Sequence, residues 1–170
     1  MYLGLDLGTS GLRGLLVQED GSIVASAQET YSVNHPHASW SEQDPTDWTT
    51  ACEHVINSLR SYYMEAFSNL KGIGVSGHMH GAILVDSNGG VLRPCMLWND
   101  TRAHLEAEQL DSAEGFEEVS GNIVFPGFTA PKVLWVANNE PEIFAKISKI
   151  LLPKDYMNFW LRGNYVSDMS

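Results

Sequence analysis

Asp6-Leu7-Gly8-Thr9-Ser10-Gly11 lies between two apolar runs, Met1 to Leu5 and Leu12 to Val17, and the reading of this hexapeptide decides the fold. Two strands joined at such a turn make a β-hairpin able to grip phosphate. A carboxylate at a strand end can hold Mg²⁺ through water, because that hard cation prefers oxygen ligands and dehydrates reluctantly. Asp6 is the candidate metal and catalytic-positioning residue. Gly8 and Gly11 let the backbone turn tightly and bring N–H groups close to an anion, Thr9 and Ser10 add hydroxyl donors, and Arg13 adds positive charge. An ordinary hairpin, in which the same residues satisfy only local backbone groups, needs no ligand and stays open on these residues alone. The stretch is not a G-x-x-x-x-G-K-[ST] loop, since no Lys follows and the glycines lead into a strand.

Outward from the hexapeptide, residues 2–7, 12–18 and 22–30 read as three consecutive strands, with Glu19-Asp20-Gly21 as the second turn. This is an antiparallel meander. Val33 to Pro45, with two prolines and two histidines, reads as an irregular connection. A helix then starts at Pro45, with Asp44 as its cap and Trp48, Val55, Ile56, Leu59 and Tyr63 on its packing face. Gly72 to Ser76 and Ala82 to Asp86 read as buried strands flanking Gly77-His78-Met79-His80-Gly81. Val91 to Trp98 reads as extended, Thr101 to Leu110 as a polar helix, and Lys149 to Leu152 as a strand. Pro131 to Ala137, Pro141 to Ile147 and Tyr156 to Leu161 read as short helices. A meander followed by alternating helices and strands favours an α/β, ribonuclease-H-like domain.

The 170 residues, 44% of them hydrophobic, suffice for one domain with a real core. A formal charge of −11 gives no general attraction to nucleic acid or to an anionic membrane, so an anionic ligand needs a local site. No apolar run approaches a membrane span, and the N-terminus enters a strand without a basic leader, so the expected location is cytoplasmic. Cys52 and Cys95 have neither metal-like spacing nor partners enough for a disulfide framework, and are expected as reduced thiols. His78 and His80 alone, with no further Cys/His cluster, are poor evidence for zinc. Trp40, Trp48 and Trp135 are expected as packing anchors. Lys132 is expected as a solvated helical charge or a salt-bridge partner.

The opening loop resembles the first phosphate loop of the actin-like ATPase superfamily. Trp40-Ser41-Glu42-Gln43-Asp44-Pro45-Thr46-Asp47-Trp48 resembles a recurrent segment of the FGGY family of carbohydrate kinases. Leu97-Trp98-Asn99-Asp100-Thr101-Arg102 is similar to its Trp-Asn-Asp-x-Arg stretch, and Gly127 through Asn139 fits one of its signatures throughout. Within the family, Gly77 to Gly81 and Asn122 through Trp135 most resemble the branch acting on D-xylulose.

The resemblance implies an ATP- and Mg²⁺-dependent transfer of phosphate to a sugar, with Asp6 at the metal and Gly8, Thr9, Ser10, Gly11 and Arg13 at the phosphates. It implies Met79 and His80 as sugar contacts: a ring that can bond a hydroxyl and an adaptable side chain for the carbon skeleton. Trp98 offers an apolar face, Asn99 and Asp100 polar groups, and Arg102 a partner for Asp100; a strand-to-helix cap explains the same residues almost as well. The implied family takes its general base and most of its adenine surface from a second domain. Residues 1–170 are therefore expected to be the N-terminal actin-like domain, truncated at Ser167-Asp168-Met169-Ser170, with a second kinase domain as the missing partner and little turnover alone. A kinase for another ketose or polyol, a non-catalytic nucleotide-binding or interaction module, and a homo-oligomeric state remain open.

Overall fold

The structure is a computed structural model that describes residues 1–168; Met169 and Ser170, which close the stretch read above as truncated, lie outside the described residues. In chain order the first elements are β1 (Tyr2–Leu7), β2 (Gly11–Val17), β3 (Ile23–Thr30), β4 (Glu42–Gln43), α1 (Pro45–Tyr62), α2 (Met64–Ser68) and β5 (Gly72–Gly77). There follow β6 (Ile83–Val85), β7 (Cys95–Met96), α3 (His104–Asp111), α4 (Phe116–Ser120), α5 (Thr129–Asn139), α6 (Pro141–Phe144), β8 (Lys149–Leu151) and α7 (Pro153–Arg162). The chain forms two compact units, the first from Met1–Val33, Pro45–His78 and the segment from Pro153 onward, the second from Asn34–Asp44 and Met79–Leu152. No helix among the described residues is long and apolar enough to cross a membrane.

In the first unit a sheet of order β3-β2-β1-β5 is built from the meander, with β5 added parallel to β1. Alternation along β1 sends Leu3, Leu5 and Leu7 to one face, all of them buried. Leu12 and Leu16 of β2 join them, and α1 supplies Trp48, Ala51, Cys52, Val55 and Leu59. Burying each such large apolar side chain contributes about 1.5–3 kcal/mol, which fixes which face of the sheet is core. The opposite face of β1 carries Tyr2 and Asp6, both exposed. That leaves the carboxylate available for chemistry.

Two expectations fail in this unit. Tyr63 lies past the end of α1 and is 41% exposed, so the helix face ends at Leu59. β5 is a strand but not a buried one: Ile73 is 48% exposed, because β5 is the last strand of its sheet among the described residues. Five-residue α2 buries no side chain and so left no apolar period in the sequence.

The second unit holds two small antiparallel pairs, β4 with β7 and β6 with β8. Leu84, Met96 and Val136 form its apolar centre, with Leu92, Val133, Trp135, Ile143 and Ile147 packed around them. The extended run expected over Val91 to Trp98 shrinks to Cys95–Met96, since Pro94 has no N–H to give to a ladder. α3 starts at His104, later than expected, because residues 100–102 are taken up by a turn: the Arg102 N–H donates to Asp100 Oδ1 at 3.0 Å. α4 was not foreseen, although left-handed glycines close both its ends, Gly115 at φ 81° and Gly121 at φ 67°.

Beneath the Trp98–Asn99 turn lies a buried ionic network. Arg102 grips Asp100 through Nε and Nη2 at 2.6–3.1 Å, and a second contact joins Arg102 Nη2 to Glu42 at 2.7 Å. Glu42 also pairs with Arg93 at 2.8 Å. The Arg102 guanidinium lies 3.6 Å from the centroid of Trp40 and 5.1 Å from that of Trp135, so these tryptophans do more than pack: their faces solvate a buried cation.

Candidate functional site

In the first unit the β1–β2 hairpin encloses a cavity of about 420 Å³ lined by Asp6, Gly8, Ser10, Gly11, Arg13 and residues of β3. Strand register puts Asp6 opposite Arg13 on β2 and beside Ser76 on β5. Ser76 Oγ donates to Asp6 Oδ1 at 2.8 Å, and Arg13 Nη2 donates to Gln28 Oε1 at 3.2 Å. The loop is braced from outside itself, because the Tyr31 hydroxyl donates to the Gly8 carbonyl at 2.6 Å. Burial, then the nearby Asp6 charge, pushes the Tyr31 phenol well above its ordinary value and keeps it a donor.

The glycines make the tight turn expected of them. The Gly8 N–H is spent within the turn, donating to the Gly11 carbonyl at 3.0 Å. Gly11 is required by close approach: a Cβ there would lie 2.5 Å from the Glu29 carbonyl oxygen. Ser10 and Arg13 line the cavity together with Gly8 and Gly11. An exposed carboxylate beside a guanidinium suits a cation shared with phosphate oxygens and water. Among the described residues no cluster of three or more His, Cys, Asp or Glu side chains could hold a metal by protein ligands alone.

In the second unit Met79 is 57% exposed and His80 is half-buried on the turn that leaves β5. His80 has φ 61°, a left-handed conformation that non-glycine residues adopt at a cost of about 1–3 kcal/mol unless the surroundings hold it. They do so here. Lys132 Nζ donates to the His80 carbonyl at 2.8 Å, Thr129 Oγ1 approaches the same oxygen at 3.3 Å, and the His80 ring stacks on Phe128 with centroids 4.4 Å apart. Burial, helped by the Lys132 charge, holds the imidazole below its ordinary pKa. A neutral ring both donates and accepts, which suits a hydroxyl. Beside it opens a cavity of about 460 Å³ whose lining includes His80, Asn122, Phe128, Thr129 and Pro131.

Trp98 and Asn99 are exposed on their turn, Trp98 by 46%. Asp100, expected beside them as a polar sugar contact, is wholly buried, and its oxygens accept from Arg102 and from the Ser41 N–H at 2.7 Å. Its carboxylate shapes the turn that presents Trp98 and Asn99, but it does not cap α3, whose N-cap is Ala103 with no side-chain hydrogen bond, and Trp98 is not a core residue. The main chain at Gly127 packs against this turn: a Cβ on Gly127 would lie 2.3 Å from the Trp98 carbonyl oxygen.

Lys132 overturns its expectation outright. It is 0% exposed, bonded also to the Gly127 carbonyl at 2.6 Å, and burial lowers its pKa to about 8 against the opposing pull of Cys95 and Asp100. A signal existed, since Lys132 and Val136 are four residues apart on α5 and share its buried face. Tyr31 carried no comparable signal. Cys52 and Cys95 are free, buried thiols, pushed up by burial to about 11 and about 12, so both stay protonated at neutral pH.

The chain belongs to the FGGY family of carbohydrate kinases: the description of that family's N-terminal domain matches residues 1–170. It is 46% identical to a xylulose kinase of Escherichia coli (strain K12) over the whole of this chain and 35% of that enzyme's length. The solved structure of a "xyloylose kinase" from Brucella ovis superposes with a TM-score of 0.97 at 56% identity, over 99% of this chain and 36% of that one. A gluconate kinase from Lactobacillus acidophilus superposes with a TM-score of 0.88 at 26% identity, over 98% of this chain and 34% of that one. The fold is the α/β, actin-like ATPase fold of these sugar kinases. The chain spans about a third of the length of the relatives it matches.

Proposed function

We propose that the protein to which this chain belongs is an ATP-dependent xylulokinase, which transfers the γ-phosphoryl group of ATP to the C5 hydroxyl of D-xylulose and releases ADP. The observation that carries this reading is the 46% identity with a xylulose kinase in an alignment that covers the whole chain. Phosphoryl transfer is governed by positioning and charge compensation, so the roles divide between holding phosphate and holding sugar. Asp6 would hold Mg²⁺ through water, with Thr9, Ser10 and Arg13 orienting phosphate oxygens. When bound, Mg²⁺ offsets charge on the transferring phosphate. Met79 and His80 would form one wall for the ketose, and Trp98 with Asn99 another contact. Asp100 would act by fixing the Trp98–Asn99 turn. ATP as co-substrate suits a cytoplasmic setting.

An assay coupled to ADP release, run on the complete gene product with Mg-ATP and a panel of D-xylulose, other ketoses, polyols and gluconate, tests the reading. D-Xylulose should have the highest specificity constant. The likeness to a gluconate kinase supports a second reading, a kinase of another sugar substrate, and a different preferred sugar would favour it. Residues 1–170 expressed alone are expected to give no appreciable turnover, as the implied general base and adenine surface belong to a second domain. Turnover near a typical enzyme's ~10 s⁻¹ from that polypeptide would contradict this.

A further inference from the structure

We propose that Lys132 is a positioning residue for the sugar contact: its buried ammonium, bonded to the carbonyls of His80 and Gly127, holds the His80 ring in its place against Phe128. The inference rests on the proposed sugar role of His80 for its consequence, though not for its geometry. A lysine with no exposed surface is an unusual choice for packing alone, since desolvating an ammonium is costly and an apolar side chain would fill the space better. What an apolar side chain cannot do is donate to two carbonyls from different segments. Lys132 Nζ reaches the His80 carbonyl at 2.8 Å and the Gly127 carbonyl at 2.6 Å.

The two segments are those that carry the candidate contacts. His80 is one of two described non-glycine residues with positive φ, and the hydrogen bonds to its carbonyl fix the peptide plane that follows that strained residue. Gly127 sits with its Cα against the Trp98 carbonyl, and the next residue, Phe128, supplies the ring on which His80 stacks. One ammonium therefore sets the distance between the His80 turn and the segment that both carries Phe128 and abuts the Trp98 turn. Without it, the left-handed conformation at His80 loses its strongest anchor and the ring is free to leave Phe128.

Histidine-labelled NMR on the complete gene product tests the positioning directly. In Lys132→Met, the ring-to-ring Overhauser effect between His80 and Phe128 should be lost. The one between His78 and Trp48, whose centroids lie 5.4 Å apart in the other unit, should persist as a control for folding. Calorimetric D-xylulose affinities across Lys132→Met, His80→Ala and the double variant test the consequence. Residues that act through one another couple, so Lys132→Met should weaken binding ~tenfold when His80 is present and less than twofold when it is already alanine. A retained His80–Phe128 effect, or equal weakening in both backgrounds, overturns the proposal. Wild-type protein that fails to bind D-xylulose counts against the xylulokinase reading alone, with the Overhauser measurement still judging the position of the ring. Should Lys132→Met not fold, Lys132→Gln takes its place in both measurements; failure of both to fold makes Lys132 a folding residue and also overturns the proposal.

Discussion

Arg13 stands directly opposite Asp6 in the antiparallel β1–β2 register, and Ser76 stands beside Asp6 on the parallel strand β5. Directly opposed residues share a face of a sheet, so three strands deliver a hydroxyl, a carboxylate and a guanidinium in one row. Register, not loop flexibility, sets this row. A slip of one residue would replace it with the buried leucines, so the same apolar alternation that builds the core also holds the charges where they are.

Asp6→Asn in the complete enzyme should lower kcat by at least tenfold and leave D-xylulose affinity nearly unchanged, because the carboxylate lies in the hairpin proposed to hold phosphate and an amide is a poorer ligand for Mg²⁺. Steady-state kinetics with a separate sugar titration measure the two effects. Lost sugar affinity with an unchanged maximal rate would refute the role.

His80→Ala should lower kcat/KM for D-xylulose by the worth of a hydrogen bond to a neutral partner, about 0.5–1.5 kcal/mol, with a larger loss if a sugar hydroxyl is left unsatisfied. Its circular dichroism spectrum should match the wild type's, as the side chain lies at a turn. Equal specificity constants in two folded proteins would return His80 to a purely local role.

Gly11→Ala should destabilise the first unit by about 1–3 kcal/mol, because its Cβ would be forced to within 2.5 Å of the Glu29 carbonyl, a main-chain atom that can yield only by moving β3. Urea unfolding would report the loss as a lower midpoint. An unchanged midpoint would show that the hairpin can open without cost.

The stability contributed through Lys132 should increase as pH is raised from about 8 toward the ordinary lysine value of 10.5. The sign follows from linkage: in that window the unfolded chain keeps the proton and the folded chain releases it, so the unfolded state binds more protons and unfolding becomes harder with rising pH. Below about 8 both states are protonated and the contribution is flat. The measurement is the difference in unfolding free energy between wild type and Lys132→Met at pH 7.5, 9 and 10, which should grow in favour of the wild type. A difference that shrinks over this range would show that the buried amine is not held low.

The meander was legible because leucines alternate along β1, β2 is an apolar run, and Glu19-Asp20-Gly21 supplies a turn, signals that act over a few residues. β5 was legible as a strand and not as an exposed one, since what covers Gly72–Gly77 depends on strand order, which local composition does not encode. The hairpin residues were visible as a group, while the brace from Tyr31, 23 positions from Gly8, was not. Lys132 was misjudged because charge was read as a sign of exposure, whereas the pairing of Asp100 with Arg102 was legible and only its complete burial was not. Asp100 is neutralised by Arg102, and Lys132 is satisfied by carbonyls remote in sequence.

The burial of Asp100 and Arg102 has a consequence for how this protein can change. Because the turn is held from below by an ionic network, its backbone geometry is set by Asp100, Arg102 and Glu42 and not by the exposed side chain of Asn99. Asn99 is thus a position at which substitutions can accumulate without unfolding the chain. On the sugar-contact role proposed for Trp98 and Asn99, a library randomised at these two residues, with the supporting Asp100, Arg102 and Glu42 left alone, is where altered sugar preference is most accessible to selection.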